Sequence, residues 1–223
     1  MTLEHVAIIF QVIAFLFAIS VHESAHAWMA NRCGDPTARM LGRITLNPIK
    51  HIDIFGTVLL PLLAIWQGFP MIGWAKPTPV NPGNFKRPVR DDILTSIVGP
   101  ISNFLVACMA AIVLILIKFW VAFASRAAVG GSLIDPNSPL VPLWALSHAF
   151  MEINVLLAVF NLIPIPPLDG SHVLRHLLPE NLLRIYDAAG WFALIALVFF
   201  APGVLNRLFE PVLGIFEFVV NTV

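Results

Sequence analysis

Apolar stretches of bilayer-crossing length follow one another along this 223-residue chain: His5 to Ala30, Asp91 to Ala124, Trp144 to about Leu178, Leu182 to Ala201 and Val204 to Val223. About 20 predominantly apolar residues cross a bilayer as a helix, so the chain reads as an all-α polytopic membrane protein. Only 12% of its residues are charged, against roughly 25% in an ordinary soluble domain. With 58% hydrophobic residues, a soluble globular protein is excluded. Thirteen Lys plus Arg balance thirteen Asp plus Glu, so no basic excess exists to draw nucleic acid.

A further apolar run, Ile52 to Gln67, carries Pro61 and is marginal as a span at about 16 residues. About five to six transmembrane helices are therefore expected, in a single domain covering residues 1–223. The first stretch is a retained helix rather than a signal peptide, because it lacks a basic start and contains His22, Glu23 and His26. Between the runs, Arg39 to Leu46 alternates in a way that suits a short strand. Phe69 to Pro88 contains Pro70, Pro77, Pro79, Pro82 and Pro88 and must be extended or looped. Two cysteines, Cys33 and Cys108, make no disulfide framework.

Charge orients these spans. Met1 to Leu3 lack positive charge, whereas Asn31 to Lys50 carries Arg32, Arg39, Arg43 and Lys50. The first helix therefore ends in the cytoplasm and the N-terminus lies outside. Lys76, Lys86, Arg87 and Arg90 mark the same side again, so the chain between Asn31 and Asp91 makes an even number of crossings. Its apolar run re-enters or is paired with a returning extended segment.

The first helix contains His22-Glu23-Ser24-Ala25-His26, an H-E-x-x-H pattern. It sets two imidazoles one turn apart on one helix face, where both can ligate one zinc ion. Glu23 beside them can take a proton from water made acidic by the metal. Ionisable groups at membrane depth are costly and usually line a polar cavity, so three within five residues require a reason. An interfacial cluster at the cytoplasmic helix end is the plainer alternative. A catalytic zinc wants a third protein ligand, and Asp169 is the candidate, in Asn161-Leu-Ile-Pro-Ile-Pro-Pro-Leu-Asp-Gly170, where prolines unwind the fourth span. From the residues alone, a plain Asp-Gly turn at a helix end remains equally open. Depth bears on the choice. His22 and Asp169 both fall toward the cytoplasmic end if the third span runs outward and the fourth inward, as the even crossing number requires.

These residues resemble the site-2 proteases, intramembrane zinc metalloproteases. His22 to His26 resembles that family's zinc helix. Asn161 through Gly170 resembles its N-x-x-P-x-P-x-L-D-G signature, and Gly99-Pro100-Ile-Ser-Asn103 its G-P-x-x-N element. The resemblance implies one zinc ion per chain on His22, His26 and Asp169, Glu23 as general base, a transmembrane protein as substrate and residence in the cell membrane with the active site toward the cytoplasm. It implies a compact form, since neither a PDZ nor a CBS domain is present. Gly42 to Pro48 and Gly73 to Val80 resemble the short membrane-associated β elements of such proteins, whose edge could pair with an unwound substrate.

Other polar residues invite weaker readings. Asn103 and Asn161 either hydrogen-bond between helices or donate to the oxyanion of the scissile carbonyl. His172 and His176 form a second i, i+4 pair, read as orienting Asp169 rather than ligating metal. His148 with Glu152 reads as an interfacial pair, and His51 as a neighbour of the site's mouth or of headgroups. The reading from a different class is a divalent-metal transporter, which needs successive ligands along a crossing path. Here the candidate ligands gather at one place.

Overall fold

The computed structural model describes residues 3–60, 62–63, 73–127 and 138–222, and among them every regular element is helical. The elements are α1 (Leu3–Cys33), α2 (Thr37–Met40), α3 (Pro88–Ala127), α4 (Leu140–Asn161), α5 (Gly170–Arg175), α6 (Glu180–Phe200) and α7 (Pro202–Thr222). Among the described residues, four helical stretches are long and apolar enough to cross a membrane: His5–Cys33, Pro88–Ala124, Leu140–Asn161 and Glu180–Phe200. They lie in α1, α3, α4 and α6, so four of the five to six spans read from the sequence have this character. The run from Val204 forms α7, in which any 18 consecutive residues include Arg207, Glu210 and Glu217. The Ile52 to Gln67 run falls partly outside the described residues. Its first part, Ile54–Leu59, is a π-helical turn capped by the Asp53 carboxylate, which accepts from the Phe55 and Gly56 N–H groups.

Helices α1, α3 and α4 form the core. Small residues are buried on all three, Ala14 and Ala18 on α1, Ala107, Ala110 and Ala111 on α3, and Ala149 and Ala158 on α4, beside larger ones such as Leu114, Met151 and Val155. In lipid no hydrophobic force drives helices together, so close backbone approach over small residues supplies the packing. Helix α7 closes one side of this core. Phe216 and Val220 bury against α3 and α4, and the Phe104 and Phe216 rings meet edge to face at 5.6 Å. Its Glu217 lies 2.8 Å from His148, whose other ring nitrogen is 3.9 Å from Glu152.

The end of α1 and the start of α3 lie side by side. Lys86 N–H donates to Cys33 O at 3.1 Å, and Phe85 packs on Ala30 and Cys33. The fully buried Asp35 carboxylate accepts from the Thr37 N–H and hydroxyl, the Asn81 N–H and the Asn84 amide. Burial alone would raise this carboxyl, but those bonds outweigh burial and hold it below the usual carboxylate range. Gly34 turns the chain with φ 116°, and a Cβ there would stand 2.9 Å from Asn84 O. The end of α1 and the start of α3 therefore stand at the same end of the helix bundle, the arrangement that an even number of crossings between them calls for.

No β ladder forms among the described residues. Arg39 to Leu46 runs through α2 into turns instead of a strand. Residues 73–81 are an extended strap whose alternate N–H groups all point one way: Trp74 to Gly56 O at 3.1 Å, Lys76 to His51 O at 2.8 Å and Thr78 to Glu23 Oε2 at 2.7 Å. On the opposite edge stand Pro77 and Pro79, which carry no N–H. Between Trp74 and Val80 that edge offers one donor, Ala75, and so cannot propagate a ladder there.

Candidate metal centre

In α1, His22 and His26 stand one turn apart as the spacing requires. Their Nε2 atoms lie 3.0 Å from each other, and Asp169 Oδ2 lies 3.0 Å and 3.3 Å from them. Their ligand atoms all lie within 4.8 Å of one another, a group of donors that could hold a metal ion.

The backs of both rings are fixed. His22 Nδ1 lies 2.6 Å from Asn103 Oδ1, and His26 Nδ1 lies 2.6 Å from the Thr95 carbonyl. The Asn103 amide cannot be flipped, because its Nδ2 donates to Ala18 O at 3.1 Å and to Asn154 Oδ1 at 2.8 Å. Facing carbonyl acceptors, each neutral ring carries its proton on Nδ1. Two Nε2 lone pairs and a carboxylate oxygen are thereby aimed at one point. Asp169 Oδ2 is buried and, among the described residues, has no hydrogen-bond partner. Three converging lone pairs without a proton between them repel unless a cation sits there. For zinc bonds of about 2.1 Å, tetrahedral ligands stand about 3.4 Å apart, close to the separations found. The donor set fits zinc.

Helix α3 approaches this pair through Gly99, where a Cβ would lie 2.3 Å from His26 Nε2 and 2.8 Å from His22 Cε1. Only glycine lets the helix pass this close to the two imidazoles and still place Thr95 and Asn103, one turn below and above, on the two Nδ1 atoms. Asp169 comes from the turn after α4. Pro164, Pro166 and Pro167 lack N–H groups and cannot extend a helix. The chain folds back as short turns closed by Ile165 N–H to Ile163 O and Leu168 N–H to Ile165 O. A Cβ on Gly170 would meet Leu162 O at 2.2 Å, so α5 begins pressed against the end of α4. From α6, Tyr186 donates to Pro164 O at 2.9 Å, and Gly190 leaves room for the Pro166 ring.

Glu23 faces the strap. Its Oε2 accepts from Thr78 N–H, and its backbone carbonyl accepts from the Thr78 hydroxyl at 2.9 Å. The strap is held in turn by the buried Arg43 guanidinium, which donates to the carbonyls of Lys50, Lys76 and Pro77. Burial lowers the Arg43 guanidinium below its ordinary value. His51 is fully buried beneath it, with Nε2 on Thr45 O at 2.8 Å, and burial lowers its imidazole as well. His51 is therefore part of the strap's support, not a headgroup contact.

His172 and His176 do not reach toward Asp169. They clamp Asp92 on α3, at 3.2 Å and 2.8 Å, and so tie α5 to α3. Asn161 ends α4 with its Nδ2 bonded back to Leu157 O at 3.0 Å. Sequence reasoning passed over Thr95, Gly99, Asn154, Thr78 and Asp92. Gly99 stood inside a motif already noted, and a glycine in an apolar helix is a signal of close approach. The others act through backbone atoms or long-range pairs that no spacing rule shows.

Residues 10–201 match the model of Peptidase family M50. "Putative zinc metalloprotease YwhC" of Bacillus subtilis is 36% identical over 204 residues, covering 91% of this chain and 85% of that protein. "Putative zinc metalloprotease Rip2" of Mycolicibacterium smegmatis is 32% identical over 223 residues, 97% of this chain and 76% of the relative. Its namesake in Mycobacterium tuberculosis strain H37Rv is 30% identical over 220 residues, 96% and 76% respectively. No solved structure matches the chain. A family match over most of the chain, on a set of apolar helices with a zinc-fitting donor group between them, identifies the protein as a member of peptidase family M50, an intramembrane zinc metalloprotease.

Proposed function

We propose that His22, His26 and Asp169 hold one zinc ion per chain and that Glu23 is the general base for peptide-bond hydrolysis within or beside transmembrane segments of membrane-protein substrates. The observation that carries this reading is the convergence of two Nε2 lone pairs and the partnerless Asp169 oxygen on one point. A zinc ion held by His22, His26 and Asp169 would supply Lewis-acid polarisation of the scissile carbonyl and would lower the pKa of water toward 7. Glu23 holds one carboxylate oxygen on Thr78 N–H, which leaves Oε1 to take the proton of the attacking water. As the C–N bond breaks, Glu23 returns that proton to the leaving amine.

Asn103 acts through His22 rather than on the substrate, since its amide is already committed to Ala18, Asn154 and the imidazole. Asn161 likewise has its amide on Leu157, so neither is assigned to the oxyanion. His22 lies 11 residues before the end of α1, about 16 Å at the helical rise. A substrate helix must unwind to present a bond at that depth, and the proline turn and the strap border the place where it does. The strap's proline edge favours a clamp on Glu23 over strand addition. Helix α7, packed on α3 and α4, serves as a fifth span. By the charge rule the N-terminus lies outside and the site opens toward the cytoplasm of a cell membrane. A transporter needs a second donor group farther along the path, and among the described residues only one such group stands.

The test separates metal from base. Glu23→Gln should keep zinc and lose cleavage of single-span membrane peptides by about 10²–10⁴-fold, while Asp169→Ala should lose both. Chelator should stop the wild type. Cleavage retained by Glu23→Gln, or full zinc in Asp169→Ala, overturns the assignment.

A further inference from the structure

Beyond the catalytic site, a hollow of about 310 Å³ opens where α1 ends and α3 begins, lined by Met29, Arg32, Cys33, Lys86, Arg87, Arg90, Asp91 and Leu94. Arg32, Lys86, Arg87 and Arg90 are all exposed, and among the described residues none forms a salt bridge. The one carboxylate present, Asp91, accepts from the backbone N–H of Arg87 at 2.8 Å. Four cations thus face one acid whose Oδ2 is engaged. The rest of the lining is different, made of Met29, Cys33 and Leu94. Trp28, 43% exposed, carries the Arg32 guanidinium 5.1 Å above its ring, the placement of a tryptophan at the membrane–water interface.

We propose that this hollow is a binding site for the phosphate headgroup of an anionic phospholipid. Lys86, Arg87 and Arg90 neutralise the phosphodiester, and the first acyl carbons lie along Met29 and Leu94. Uncompensated cations beside an apolar wall at headgroup depth suit a molecule that is anionic at one end and hydrocarbon at the other. An acidic peptide satisfies the charges but not the apolar wall, and free phosphate satisfies neither the wall nor the interfacial position. Because the hollow is bounded by the last turn of α1 and the first of α3, an occupant bridges the two helices that carry His22, His26 and Gly99.

The test is a binding titration of the whole chain in a neutral detergent, read by native mass spectrometry with phosphatidylglycerol and with phosphatidylcholine. Phosphatidylglycerol should be held at least ten-fold more tightly, and Arg87→Gln with Arg90→Gln should weaken it by roughly 25-fold, about five-fold per cation. Arg207→Gln, a cation removed from α7, should leave it unchanged. If the double variant fails to fold, Lys86→Gln alone should show the five-fold loss. Equal retention of both lipids, or equal weakening by Arg207→Gln, overturns the proposal. So does equal binding of free glycerol phosphate, which would make the site one for soluble phosphate, or tighter binding of an acidic peptide.

Discussion

Replacing Gly99 by Ala is a one-carbon change whose consequence can be worked from the structure. The new Cβ would lie 2.3 Å from His26 Nε2, 2.6 Å from His26 Cε1 and 2.8 Å from His22 Cε1. Ordinary non-bonded atoms stop at about 3.5 Å, so the methyl intrudes by roughly 1 Å. The imidazoles cannot yield without leaving Asn103 and Thr95, so the ring nitrogens or α3 must shift by that order. Metal–ligand distances tolerate only about 0.2 Å, and a 1 Å misplacement in an active site costs about 100-fold in rate. The fold is expected to survive, because Ala in place of Gly inside a helix gains up to about 1 kcal/mol of propensity against about 1–3 kcal/mol of overpacking. The assay is zinc per chain by elemental analysis of the purified variant, with cleavage of a single-span peptide alongside. We expect loss of metal and at least a 100-fold fall in cleavage with helicity retained. Gly203→Ala and Gly214→Ala, where a Cβ meets nothing within 4 Å, should be indistinguishable from wild type. Full zinc and normal cleavage in Gly99→Ala would refute the packing argument and the ligand placement with it.

Asn103→Ala frees the His22 ring at Nδ1 and should weaken zinc by about 10–100-fold, measured by competition with a graded chelator. An unchanged affinity would remove Asn103 from the site's support. Single cysteines at Asn84 and Arg184, on a background lacking Cys33 and Cys108, should both label from the cytoplasmic side, and labelling of Asn84 only from outside would reverse the proposed orientation. The Asp35 carboxyl is held low in the folded chain, so its stabilisation of the α1–α3 joint is present above the unfolded value of about 3.9 and is lost as pH falls through the folded value. Asp35→Asn should flatten that acid limb of a thermal-melting profile; an unchanged limb would mean other carboxylates govern it.

Much of this molecule was legible in the residues, because lipid leaves few choices. An apolar run of 20 residues must be a helix, and H-E-x-x-H on a helix sets its imidazoles on one face whatever surrounds it. The prolines after Asn161 had to end α4 and leave Asp169 in a turn. The charges at both ends of the segment from Asn31 to Asp91 already required its return to the same face. What the sequence could not contain was the meeting of elements far apart along it. The orientation of His22 depends on an amide 81 residues away, and that of His26 on a backbone carbonyl 69 residues away. Likewise the expected strands failed because hydrogen bonds, not alternation, make a sheet. The strap's donors found Gly56, His51 and Glu23, and its prolines denied a partner. Periodicity is a local property set by backbone geometry, whereas a ring's tautomer, a carboxylate's depth and a glycine's clearance are set by whichever neighbour packing brings. Those were decided only when α1, α3 and the turn before α5 closed around one point.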